Sequence, residues 1–171
     1  KKISIIILLL SFMNLLSLPD LIGRFHPVLV HLPIGILVLA CFFQLLTIKA
    51  RFAVLQPAIP VMFFWFMFGA VLSCISGYML SLSGDYEGQL VGRHQWLGIF
   101  TAIASLVLYL LYKLSIGEKA ARVFSVGIII LVTITGHMGG SLTHGSDYLT
   151  EGLNSPDENE AVIKPIPDIQ E

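Results

Sequence analysis

Five histidines carry most of the chemistry available to this chain. His26 and His31 stand in "RFHPVLVHLPIG" (24–35), His94 in "GRHQWLG" (92–98), and His137 and His144 in "GHMGGSLTHG" (136–145). Each lies at the edge of a long apolar run or just beyond one. Neutral imidazoles on different segments are ligands for transition metals or for haem iron. A zinc or copper site ordinarily adds carboxylate or thiolate. Here Asp85, Glu87, Asp147 and Glu151 fall in loop-like sequence, while Cys41 and Cys74 sit deep in apolar runs. Haem b asks for less: two axial histidines, an apolar wall and a slot for a flat macrocycle. No CxxCH occurs, so covalent attachment of haem c is not expected. His26 and His31 are five residues apart, about 140° around a helix, and so make poor partners on one iron. Each is expected to pair with a histidine from elsewhere, giving one haem or two.

Glycines accompany the histidines. Gly35 follows His31 by four residues, Gly98 follows His94 by four, and Gly136 precedes His137. Positions i and i+4 share a helix face. Gly35 and Gly98 are therefore read either as room for a porphyrin edge or as small residues that let membrane helices approach closely. His144, in loop-like sequence after Gly139 and Gly140, is the weakest ligand candidate and reads first as an interfacial side chain.

The elements that must position these residues follow from composition. The chain has 171 residues, 56% hydrophobic and 12% charged, against roughly a quarter charged in soluble domains. A net charge of −1 gives no footprint for nucleic acid. Five apolar segments are expected near 3–18, 29–48, 55–81, 94–115 and 121–142. About 20 apolar residues cross a bilayer, and no segment alternates with period two as a barrel strand would. The fold class is therefore an all-α integral membrane protein: a bundle of four transmembrane helices plus an N-terminal anchor helix. The domains are a signal-like anchor at 1–20, retained because no small-x-small cleavage site follows it, a four-helix membrane domain at 21–152, and an acidic linker or tail at 153–171. Proline at Pro27 and Pro33 places "FHPVLVH" as a more extended lead-in, with the helix proper starting near Pro33.

Basic residues orient the bundle. Seven of ten, including Lys49, Arg51, Lys113, Lys119 and Arg122, fall on one side, and ten of eleven acidic residues fall on the other. Short cytoplasmic loops are enriched in Lys and Arg, so the N-terminus is expected inside and the C-terminus outside, in the periplasm of a bacterium. All five histidines then map to the outer end.

The strings "FHPVLVHLPIGILVLA", "SGYMLSLSGDYEGQLVGRHQWLG" and "GHMGGSLTHGSDYLTE" resemble the bacterial membrane domain known as domain of unknown function 2231. The likeness is to the version found ahead of planctomycete-type c-type cytochrome domains, and it covers about residues 24–152. The resemblance implies a helical membrane domain joined to periplasmic haem c modules, with a part in electron transport. Its motif histidines correspond to His26, His31, His94, His137 and His144. The chain departs from the fused pattern in lacking CxxCH.

The expectation is thus a membrane electron-transfer subunit of the bacterial inner membrane. It would bind haem b through His26, His31, His94 and His137, with His144 as a further candidate and Gly35 and Gly98 as slot residues. Expected partners are a periplasmic c-type cytochrome, a larger membrane complex, a quinone and the lipid bilayer. The alternatives are a haem-free membrane anchor or scaffold for a periplasmic complex, and a periplasm-facing metal-ion-binding membrane protein. Catalysis by the chain itself is not expected.

Overall fold

The computed structural model describes residues 18–83 and 86–150. The expected anchor up to residue 17, Asp85, Glu151 and the whole tail at 153–171 lie outside the described residues. The described residues form a short helix α1 (Leu18–Arg24) and four long helices: α2 (His26–Leu46), α3 (Ala58–Ser83), α4 (Gly88–Lys113) and α5 (Glu118–His144). A six-residue 3-10 helix, Ala50–Leu55, lies in the α2–α3 connection. All four long helices are long and apolar enough to cross a membrane, with candidate spans of 21, 25 (Ala58–Leu82), 26 and 27 residues. The protein is an all-α, multi-pass membrane bundle.

The helices alternate in direction, so the bundle has two chemically distinct ends. One holds Lys49, Arg51, Lys113, Lys119 and Arg122; the other holds the histidines and is called the histidine end below. At the basic end the α4–α5 turn is closed by a Schellman arrangement. The Ile116 N–H reaches back to the Leu111 carbonyl at 2.9 Å and the Ser115 N–H to Tyr112 at 3.2 Å, with Ser115 in the left-handed region (φ 55°).

Packing differs between the two halves. The large, fully buried side chains Ile59, Phe63, Phe66, Leu37, Leu108 and Ile128 occupy the middle and the basic half. A buried polar tie joins three helices there: Gln44 donates to the Tyr112 hydroxyl, and Ser125 donates to Gln44 Oε1 at 2.7 Å. Toward the histidine end the buried side chains, Pro33 apart, are small: Ala70, Ser73, Ser76 and Thr101. Water cannot drive helix association inside lipid, so close approach through small residues has to do so.

Helix α2 departs from the expected extended lead-in. It begins at His26, with Pro27 in its first turn, where the missing N–H is no loss. Pro33 lies inside the helix and is buried. Its ring packs where Gly69 of α3 has no side chain: a Cβ on Gly69 would sit 3.0 Å from Pro33 Cβ. Before His26 the chain breaks at Phe25 and turns into α1, where the sequence pattern suggests a loop. Gly23 lets α1 lie directly on the α3 backbone, since a Cβ there would fall 2.7 Å from the Leu80 nitrogen. The break therefore leaves His26 at the start of a spanning helix and beside α3, short of the α3 terminus.

Candidate functional site: a histidine pair inside the bundle

His26 and His94 meet across the interior. His26 is the first residue of α2 and is partly buried. Counting back from the buried residues Pro33, Leu37, Ala40 and Gln44, it falls on the same inward stripe. His94 lies six residues into α4, about 9 Å from its start, on the stripe that continues through Thr101, Ser105 and Leu108. The two ring centroids are 6.3 Å apart with planes at 80°.

Glycines on the neighbouring helices admit both rings. A Cβ on Gly77 of α3 would lie 2.8 Å from His26 Cε1, and one on Gly139 of α5 would lie 3.0 Å from His94 Cε1. Any side chain at either position would displace an imidazole.

Hydrogen bonds fix which ring nitrogens remain available. His94 Nδ1 is 3.0 Å from the Thr135 carbonyl oxygen, which can only accept, so Nδ1 carries the proton. His26 Nδ1 is 3.2 Å from Ser76 Oγ. The one hydroxyl proton of Ser76 is donated to the Ser73 carbonyl at 3.1 Å, so Ser76 accepts from His26. With Ser76 donating to Ser73, both histidines are Nδ1–H tautomers with a free Nε2 lone pair. Ligating histidines are held in the same way, by donating the other ring N–H to an oxygen.

The remaining histidines are placed elsewhere. His31 is exposed on the lipid side of α2 and donates through Nδ1 to the Pro27 carbonyl. His137 is exposed on the outer side of α5, its ring stacked on Tyr148 with centroids 5.8 Å apart. His144 is exposed and lies tilted against the same tyrosine, also with centroids 5.8 Å apart. Tyr148 has no helical spacing in the sequence that would single it out. Gly140 opens the space for its ring, and its hydroxyl lies 3.5 Å from His137 Nδ1.

The two glycines expected beneath histidines are not against them. Gly35 is exposed, and nothing lies within 4 Å of where its Cβ would be. Gly98 faces Cys74 Sγ at 3.7 Å. The glycines that seat the histidines are across the interface, at Gly77 and Gly139, rather than one turn along the same helix.

Among the described residues, no three of His, Cys, Asp and Glu converge as a metal-ion site would require. The donor set inside the bundle is two imidazoles alone. Two imidazoles are residues that would hold haem iron, whereas a zinc or copper site ordinarily takes more ligands than these two. No family model, no curated protein and no solved structure matches this chain.

Proposed function

We propose that this membrane protein is an electron-transfer subunit that binds haem b non-covalently between His26 and His94. In this reading it lies in the inner membrane of a bacterium, with the histidine end toward the periplasm. It relays electrons from a membrane donor such as quinol to a periplasmic c-type cytochrome within a larger membrane complex. The observation that carries the reading is the pair itself: two imidazoles, 6.3 Å apart at their centroids, each with Nδ1 tied to an oxygen and Nε2 free.

Bound haem supplies a one-electron couple, and two histidine ligands leave no open position for oxygen chemistry. The chain's own residues do the remainder. Ser76 and the Thr135 carbonyl hold the two rings in one tautomer, while Gly77 and Gly139 let them lie against the neighbouring helices. Arg24 and Arg93 are the described basic residues at the histidine end, and both are exposed there to meet carboxylates. The basic cluster at the opposite end supports the orientation through the cytoplasmic bias of Lys and Arg.

The test is the absorbance of the purified, detergent-solubilised protein before and after dithionite. The reading requires a Soret band and a sharp alpha band on reduction, with haem extracted by acid acetone. Colourless protein after reconstitution with haemin contradicts it and leaves the scaffold reading in its place.

A further inference from the structure

At the basic end the helices do not close completely. A cavity of about 300 Å³ opens beside the α2–α3 connection, walled by Pro57, Pro60 and Ala121 and reached by Gln56, Tyr112 and Glu118. Pro60 and Tyr112 also line an open groove of about 520 Å³ between α3 and α4. That groove runs along Val61, Phe64 and Tyr109, with Lys113 at its edge. The shared residues join a polar cup to an apolar trough, and the cup is of a size that holds a small polar group.

The polar groups of this space carry both signs. Glu118, the first residue of α5, is exposed and holds its neighbours loosely, with Arg122 Nη2 at 3.7 Å and Gln56 Nε2 at 3.4 Å. A carboxylate has about four acceptor sites, so others remain. Gln56 spends an N–H on Glu118, which leaves its Oε1 as a second acceptor. Tyr112 accepts from the Gln44 amide, so its own O–H is left to donate. Lys113, the last residue of α4, lies over the Tyr109 ring, 5.6 Å from its centroid. Among the described residues no carboxylate pairs with that ammonium. Acceptors for a cation and donors for an anion thus stand side by side, at helix ends where lipid headgroups lie. A free cation or a free anion meets only half of this set, and neither has a use for the trough.

We infer that this space binds one phospholipid with a primary ammonium headgroup, as in phosphatidylethanolamine. The ammonium donates to Glu118 and to Gln56 Oε1. The phosphate accepts from Lys113 and from the Tyr112 hydroxyl, and an acyl chain follows the groove past Phe64. A choline headgroup carries the same charges but has no N–H to donate, and phosphatidylglycerol lacks the cation. The site lies at the opposite end of the bundle from His26 and His94 and does not rest on the haem reading.

The experiment titrates phosphatidylethanolamine, phosphatidylcholine and phosphatidylglycerol of identical acyl chains into delipidated full-length protein in mild detergent. Binding is read by native mass spectrometry. The ethanolamine lipid is expected to bind one per chain, about ten-fold tighter than the other two, the scale of one hydrogen bond to a charged group. Glu118→Gln, isosteric and exposed, should bring it down to the choline level without weakening phosphatidylglycerol. Lys113→Met keeps the apolar stem and should weaken all three lipids alike. Glycerophosphoethanolamine, the headgroup without chains, should not displace the lipid at equal concentration. His26→Ala should bind the lipid as wild type does, so the two readings stand or fall separately. Equal affinity for the three headgroups, a preference for phosphatidylglycerol, or an ethanolamine preference that survives Glu118→Gln overturns the inference. Displacement by the chain-free headgroup overturns it too.

Discussion

His94 donates through Nδ1 to the Thr135 carbonyl at 3.0 Å, a bond that crosses from α4 to α5 and decides which nitrogen of the ring stays free. A backbone carbonyl more than two helical turns from the end of α5 is a rigid partner, because its own position is held by the helix. His26 has a softer one in the Ser76 hydroxyl, at 3.2 Å. The two rings are thus oriented by different means toward the same outcome, and the softer of the two can be tested by mutation.

Ser76→Ala removes the acceptor for His26 Nδ1 and changes little else, since alanine keeps the small volume that the α2–α3 contact needs. Loss of such an orienting partner typically weakens metal binding by 10- to 100-fold. Haemin titration should show affinity about 10-fold or more below wild type, with a shifted reduction potential in the haem that remains. A purely structural serine would leave the potential where it was.

Gly77→Ala places a methyl 2.8 Å from His26 Cε1, closer than a carbon contact allows. Gly139→Ala does the same to His94 at 3.0 Å, whereas Gly98→Ala meets only Cys74 Sγ at an ordinary 3.7 Å. The first two variants should insert in the membrane but retain less haem or show an altered Soret band. Gly98→Ala should match wild type, and equal haem retention in all three would remove the glycines from the site.

The polar tie at the basic end is a stability element remote from the histidines. Gln44→Leu deletes the link between Tyr112 and Ser125 and should cost about 1 kcal/mol, in line with interhelical hydrogen bonds in membranes. Thermal unfolding in detergent should shift downward with haem per folded chain unchanged. Lower haem content at full stability would instead couple the two ends.

The proposed orientation rests on the basic cluster. A reporter enzyme fused within the α2–α3 connection near Lys49, or at Lys119, should behave as cytoplasmic, and one fused after Thr150 as periplasmic. The reverse pattern would turn the histidine end toward the cytoplasm and end the proposed link to a periplasmic cytochrome.

The four spans were legible because a run of about 20 apolar residues matches the thickness of a bilayer and exceeds what a soluble core helix needs. The structure places three of them within three residues of their expected bounds, while α4 starts at Gly88, six residues before the expected 94. The inward faces were harder to read, since these helices are apolar all round. What marks the interior is small and polar residues at helical spacing. Ala121, Ser125, Ile128 and Gly139 give the inner side of α5, and His137 lies about 120° from Ser125 around that helix. The same arithmetic on Pro33, Leu37, Ala40 and Gln44 singles out His26 over His31. The helical start at His26 was misplaced because two prolines suggested extended chain. Pro33 is accepted mid-helix only because Gly69 on another helix makes room for its ring, a contact that no local pattern announces.

The central claim is that one pair of histidines, His26 and His94, holds haem inside a single bundle. The most direct measurement is the reduced-minus-oxidised spectrum of His26→Ala, His94→Ala and His137→Ala, each purified in parallel and reconstituted with haemin. The account predicts that the first two lose the low-spin alpha band of the inner haem and that His137→Ala keeps it at wild-type intensity. An alpha band kept at wild-type intensity in His26→Ala and His94→Ala would contradict it.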